Sequence, residues 1–165
     1  MGIAYAVVGG MALFAHRFRR FTEAVDLLVT HESLQRVLSE LDGLDYVRPA
    51  GPQSKLCDTK TRVRIEFLVT GGFPGDGRPK PVAFPDPADV TVSLGSRRVL
   101  SLPALVELKL ASGISAPHRL KDLADVQELI RALKLPRDFV DKLNAYVRDK
   151  YIELWTAIAH SPPEE

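Results

Sequence analysis

The chain has 165 residues, a formal net charge of +1 at pH 7 and a single cysteine, Cys57. A charge so close to neutral argues against broad, sequence-independent nucleic-acid binding, although one RNA docked at a local patch remains compatible with it. One cysteine excludes an intramolecular disulfide or a cysteine zinc cluster and fits a reducing cytoplasm. No run approaches the roughly 20 apolar residues of a membrane span. The length suits one domain.

The first hundred residues alternate strand-like and helix-like segments. Apolar runs and alternation predict strands over Ile3 to Val8, Val25 to Val29, Tyr46 to Arg48, Lys55 to Asp58 and Val63 to Val69. Helical spacing predicts helices over Gly10 to Phe18 and His31 to Leu41. The Pro/Gly-rich connection from Gly71 to Pro87 is long for a compact domain, so we expect it to be either functional or mobile. Val90 to Leu94 and Arg98 to Leu100 predict a hairpin.

The last third of the chain is helical in character. We expect one helix from Ser101 to about Ser112 that stops at Gly113, a second over Arg119 to Leu133, and a third from Pro136. Strands and helices followed by helices alone indicate the α+β class. The predicted organisation is a mixed core over residues 1–100 and a helical segment over 101–165, packed together as one structural domain.

A glycine pair stands where the first strand gives way to a helix. Gly9 and Gly10 would let backbone N–H groups approach phosphate oxygens, because no Cβ stands in the way. A plain turn is the equally weighted alternative. Thr22 and Asp26, at the start of the next strand, can face the same cleft. Arg17, Arg19 and Arg20 would then flank it and hold phosphate or RNA backbone, or else form an ordinary exposed basic turn.

Asp26 is the candidate metal ligand. Two acids at i and i+2 of a strand point to the same side and can hold two magnesium ions for in-line phosphoryl transfer. Here the first member of such a pair would be position 24, which is alanine, and Glu23 should face the other way. Glu66 is the candidate third acid, as a metal ligand or a general base. Its alternative is an exposed polar residue on a half-buried strand.

Several segments together resemble a known family. They read YAVVGGMALFAH, RRFTEAVDLLV, RVRIEFLV, VLSLPALVELKLASG and HRLKDLADVQELI. The chain resembles the minimal nucleotidyltransferase-like proteins of the DNA polymerase β superfamily, close to the AbiEii/MenT toxin type. The resemblance implies the nucleotidyltransferase fold, a mixed β-sheet with flanking helices followed by a C-terminal helical part. It also implies an NTP-binding cleft, Mg²⁺, transfer of a nucleotidyl group to a hydroxyl of RNA, tRNA or protein, and an antitoxin partner.

The resemblance also assigns roles to single residues. Gly9 and Gly10 match the family's phosphate-binding pair, and Asp26 matches the second acid of its Asp-x-Asp. Glu66 stands where the third acid is usually Asp. It further implies that Lys109 reaches the nucleotide phosphates and that the block containing Arg119, Lys121 and Asp122 supports it, with Lys121 on phosphate and Asp122 orienting Lys109. The alternatives are a solvated Lys109 and an Asp122 that complements its helix dipole.

Two interpretations therefore stay open. In the first, the chain is a magnesium-dependent nucleotidyltransferase whose metal site lacks one acid. In the second, it is a catalytically inactive nucleotide-binding or protein-interaction module of the same fold. Ala24 favours the second, whereas the glycine pair, Asp26 and the Lys-Asp block favour the first.

Overall fold

The computed structural model describes residues 2–16, 24–51 and 54–162, which form two compact units. The first unit comprises Met1–Gly72 and Phe84–Ser101, and the second comprises Phe73–Ala83 and Leu102–Glu165. Within the described residues the architecture is a mixed sheet with flanking helices in the first unit and helices in the second.

The first unit is built on a seven-stranded mixed sheet with the strand order β3-β4-β5-β2-β1-β7-β6. Neighbouring strands are parallel in the β2–β5 and β1–β7 pairs and antiparallel in the other four. The strands are β1 Tyr5–Val8, β2 Ala24–Val29, β3 Tyr46–Val47, β4 Lys55–Asp58, β5 Arg64–Val69, β6 Thr91–Leu94 and β7 Arg97–Leu100. The helices of this unit are α1 Gly9–Ala15, α2 His31–Leu41 and α3 Pro87–Val90.

The predicted helix over His31 to Leu41 is confirmed, and it covers one face of the sheet. Its apolar residues pack with side chains of β2, β4 and β5, and the fully or nearly buried members of this cluster are Val29, Leu34, Val37, Leu38, Leu56 and Phe67. Thr30 begins the helix, because its hydroxyl accepts a hydrogen bond from the Ser33 N–H at 3.1 Å. The strands of the hairpin around Gly95-Ser96 also lie where expected, whereas the short helix α3 was not predicted.

The second unit consists of α4 Leu102–Ser115, α5 Leu120–Leu133 and α6 Ala145–Ala159, with short 3₁₀ segments at Pro117–Arg119 and Arg137–Lys142. The prediction of one continuous helix from Pro136 is wrong: Asn144 starts a separate helix, and its side-chain oxygen accepts from the Tyr146 N–H at 2.9 Å. Among the described residues, no helix has both the length and the apolar character needed to cross a membrane.

The prediction that the first of these helices stops at Gly113 is also wrong. The helix continues to Ser115, and Gly113 serves packing instead. A Cβ at this position would lie 2.4 Å from Cγ of Leu123 on α5, so the missing side chain is what lets the two helices approach so closely.

The segment Phe73–Ala83 is organised around Lys80. The Lys80 ammonium donates hydrogen bonds to the carbonyl oxygens of Pro74 and Arg78 and to Oδ1 of Asp76, each at 2.7 Å. It also lies 5.7 Å from the centre of the Phe73 ring. Gly75 comes so close to α4 that an added Cβ would lie 2.2 Å from Oγ of Ser115. The long Pro/Gly-rich connection is therefore divided, and its central part is packed within the second unit.

We expect Gly113→Ala to destabilise the protein by about 1–3 kcal/mol, because the clash with Leu123 exceeds the gain of up to about 1 kcal/mol in helix propensity. Urea unfolding of Gly113→Ala, Leu123→Ala and the double variant measures the effect. In the Leu123→Ala background the alanine at position 113 should cost little or even stabilise. Equal costs in both backgrounds would show that this contact does not set the helix packing.

Candidate functional site

Asp26 and Glu66 lie side by side on one face of the sheet. They are directly paired in the parallel β2–β5 register, as are their neighbours Leu27 and Phe67. Paired residues on adjacent strands point to the same side, and side chains alternate along a strand. Since Leu27 and Phe67 pack in the cluster beneath α2, the two acids project from the opposite face. Both are half-buried.

The Asp26 carboxylate rests against the backbone of Gly9. Val8, the last residue of β1, pairs with Asp26, and Gly9 follows at φ +62°. A Cβ at position 9 would lie 2.0 Å from Oδ2 of Asp26, so only glycine leaves space for this carboxylate. Gly10 is the second residue of α1, a helix that no side chain caps at its start. The glycine pair and Asp26 thus occupy one location.

The structure adds two basic residues that the sequence did not single out. Lys55 pairs with Glu66 across β4 and β5, and its ammonium lies 3.0 Å from Oε1 of Glu66. Arg64 pairs with Ala24 on one side and with Cys57 on the other. Both strands were predicted, but their relative register was not, and the register alone places these cations beside the acids.

Asp26 and Glu66 fit a single magnesium ion better than a pair of ions. Two neighbouring carboxylates offer the hard oxygen atoms that Mg²⁺ prefers. Ala24 has no ligand atom, and its in-register neighbour is the cation Arg64. Across residues 2–16, 24–51 and 54–162, no group of three His, Cys, Asp or Glu side chains is placed to hold a metal ion. To bind magnesium, Glu66 would have to turn from the Lys55 ammonium.

Other residues of the predicted cleft cannot be placed. Thr22, Arg17, Arg19 and Arg20 lie outside the described residues. His16 is described: its Nε2 lies 2.9 Å from the carbonyl oxygen of Leu100, so it is packed at the end of α1.

The predicted phosphate-binding residues of the C-terminal half belong to the second unit, where Lys109 is buried in a charged network. Its side chain is not the solvated lysine of the alternative interpretation, because the residue is only 8% exposed. The Lys109 ammonium lies 3.0 Å from Oδ1 of Asp122 and 2.8 Å from Oδ2 of Asp125. Both acids are also buried, so the ammonium offsets one of two negative charges held away from water.

Asp122 is the centre of this network. Its second oxygen, Oδ2, accepts hydrogen bonds from the Ser112 hydroxyl at 2.6 Å and from Nε of Arg119 at 2.8 Å. Burial on its own would raise the pKa of Asp122, but the Lys109 ammonium, the Ser112 hydroxyl and the Arg119 guanidinium together hold that pKa below its usual value. Asp122 therefore binds the Lys109 ammonium in its charged form.

Lys121 differs from its neighbours in the block because its side chain is exposed. The fold of the second unit accounts for Lys109, Arg119 and Asp122 as parts of a structural ion-pair network. Contact of Lys109, Arg119 or Lys121 with phosphate stays a prediction.

Models of known protein families match no part of this sequence, and a search of curated proteins finds no significant match. The geometry around Gly9, Asp26 and Glu66 is therefore the basis for proposing a function.

We expect Gly9→Ala to destabilise the protein much more than Gly95→Ala. Both glycines have φ near +63°, so alanine at either position costs about 1–2 kcal/mol of backbone strain. Only at position 9 would the new Cβ also collide with the Asp26 carboxylate, whereas nothing lies within 4 Å of a Cβ at position 95. Urea unfolding of the two variants checks this. Equal losses of stability would contradict the close approach of Asp26 to Gly9.

We expect Lys109→Met to destabilise the protein by about 3–5 kcal/mol, because it removes the ammonium that lies between two buried carboxylates. The control is Lys150→Met, which removes a more exposed ion pair with Glu153 and should cost no more than about 1 kcal/mol. Chemical denaturation measures both. Similar effects of the two substitutions would show that the buried network contributes no more than a surface pair.

The network also predicts an acid dependence. Because the folded pKa of Asp122 is lowered, its contribution is present above its unfolded pKa of about 4 and is lost as the pH falls through the folded value. Removing Lys109 removes a cation that lowers this pKa, so the folded pKa of Asp122 moves towards or above its unfolded value. Lys109→Met should therefore lose less stability on acidification than the parent chain. Unfolding free energies measured from pH 7 downward test this, and identical pH profiles would contradict it.

Proposed function

We propose that this chain is a nucleotidyltransferase-like protein that binds a nucleoside triphosphate at the sheet face carrying Asp26 and Glu66. In this proposal it transfers the nucleotidyl group to a hydroxyl. One observation carries the proposal: the Asp26 carboxylate lies in register with Glu66 and directly against Gly9. Such a reaction needs the phosphates, the metal ion and the acceptor hydroxyl at one place. Asp26 lies next to both Gly9 and Glu66, so the candidate residues for these tasks are adjacent. The nucleotidyltransferase fold is part of the same proposal.

Each residue of the proposed site has a distinct task. Gly9 and Gly10 let the backbone come close to the phosphates. Asp26, whose position is fixed by contact with Gly9, would hold a magnesium ion together with Glu66. When bound, magnesium would neutralise charge on the phosphates and orient them for in-line displacement. The rate would be low, because removing one electrostatic group that stabilises a transition state typically costs about 10²–10³-fold.

A second candidate is supported by different observations. Ala24 faces Arg64 across the strand pair, and Glu66 is ion-paired with Lys55. Both features favour a protein of the same fold that binds a nucleotide without transferring it, or that serves as a protein-interaction module. RNA as the acceptor, an antitoxin partner and a cytoplasmic location are implied by the family resemblance and remain part of the proposal.

The two candidates predict different outcomes for Ala24→Asp. Calorimetric titration with each NTP and Mg²⁺ measures binding, and transfer of labelled nucleotide to RNA or protein measures activity. In the first candidate, the parent chain transfers slowly, Ala24→Asp is about 100-fold faster, and Asp26→Asn is inactive. The matched control is Ala50→Asp, which adds the same charge at an exposed position of the first unit and should change nothing.

Two other outcomes of these measurements would favour the second candidate or contradict both. Binding without transfer in the parent chain, with activity appearing only in Ala24→Asp, supports the inactive nucleotide-binding protein. No binding of any NTP by the parent chain or by Ala24→Asp contradicts both nucleotide-binding candidates.

A further inference from the structure

The sheet face that carries Asp26 and Glu66 is electrically mixed. In one row across the strands, Asp26 is followed by Glu66 and Lys55, and in the next row Ala24 is followed by Arg64 and Cys57. Directly opposite residues have Cβ atoms about 4.5–5.5 Å apart. Two carboxylates and two cations therefore share a small area, and these four side chains have no net formal charge.

This balance changes what the face can bind without a metal. A face lined only by carboxylates repels a triphosphate until metal ions neutralise it. Here Lys55 and Arg64 already supply two positive charges at the positions next to the acids. A polyphosphate that approaches this face therefore meets cations as well as acids.

Both cations can be reached from solvent. The side chains of Lys55 and Glu66 are 35% and 34% exposed, and Arg64 is exposed. An ammonium has three donors, so Lys55 can hold Glu66 and a phosphate oxygen at the same time. An arginine guanidinium binds phosphate through two parallel hydrogen bonds.

We propose that Lys55 and Arg64 bind the phosphates of the nucleotide directly, so that this chain binds its nucleotide without a metal ion. The inference rests on the proposed function, because it assigns the phosphate ligands of the same site. It adds that magnesium and Lys55 compete for Glu66. Magnesium binding would release the Lys55 ammonium from Glu66, whereas in its absence the ion pair keeps the face neutral.

The first test is calorimetric titration of the full chain with each NTP and with inorganic tripolyphosphate, in EDTA and in Mg²⁺. We expect the parent chain to bind at least one NTP in EDTA within about tenfold of its affinity in Mg²⁺. Lys55→Gln and Arg64→Gln should each weaken binding in EDTA by about tenfold or more, the usual effect of losing a charged hydrogen bond. Lys60→Gln is the control, because it removes the same charge from an exposed lysine that pairs with Asp45.

Competition for Glu66 predicts opposite effects of two substitutions. Lys55→Gln should make nucleotide binding strongly dependent on Mg²⁺, because Glu66 is then available to the metal. Glu66→Gln should strengthen binding in EDTA and abolish its dependence on Mg²⁺. A merely structural role of the ion pair would weaken binding in both variants under both conditions. Should Lys55→Gln fail to fold, as judged by circular dichroism, Arg64→Gln and Glu66→Gln still decide the question.

The reactivity of Cys57 towards a thiol reagent tests where the nucleotide binds. It is the chain's one cysteine, is half-buried and lies in register with Arg64. Nucleotide bound in EDTA should therefore slow the reaction of Cys57 with a thiol reagent. Binding that requires Mg²⁺ in the parent chain would overturn the inference and leave the proposed function intact, whereas no binding in either condition would overturn the proposed function. Binding in EDTA that Arg64→Gln does not weaken, or that leaves Cys57 unprotected, would also overturn the inference.

Discussion

The parallel register between β2 and β5 is the constraint on which the candidate site depends. It places Asp26 opposite Glu66, and it places Ala24 opposite Arg64. A shift of one residue would turn Glu66 towards the core beneath α2 and bring Phe67 to the outer face, because side chains alternate along a strand. The apolar cluster that packs α2 against the sheet therefore also fixes which charged side chains meet on the opposite face.

The second constraint on the candidate site is the close approach of the Asp26 carboxylate to the backbone of Gly9. The Asp26 carboxylate fills the space that a side chain at position 9 would occupy, so the backbone at Gly9 and this carboxylate fix each other's position. This contact explains why position 9 requires glycine. The charge of this face differs from that of a site lined only by carboxylates, since Lys55 and Arg64 lie beside the acids. In the proposed site, this face would attract both a metal ion and phosphate oxygens, and the two interactions would compete at Glu66.

Local sequence was sufficient for most of the secondary structure but not for the pairing of strands. The run that forms β2 was predicted from its apolar residues, β5 from its alternation, and α2 from its apolar spacing. Which residues lie beside Lys55 and Arg64 depends on the registers of the β4–β5 and β2–β5 pairs. The β2–β5 pair joins segments that are far apart in the chain. Gly113 shows the same limitation: a glycine after an apolar helix usually ends it, whereas here Leu123 of another helix occupies the space above it. A solvated Lys109 likewise stayed open as an alternative, because its partners, Asp122 and Asp125, lie on a different helix.

We propose that Gly9, Asp26 and Glu66 form one nucleotide-binding location on the sheet face opposite α2. Backbone amide NMR spectra of the labelled chain, recorded during titration with each NTP, test it most directly. We expect the largest chemical-shift changes at Gly9, Gly10 and the residues around Asp26 and Glu66. Shift changes confined to other surfaces, or none at millimolar nucleotide, would contradict it.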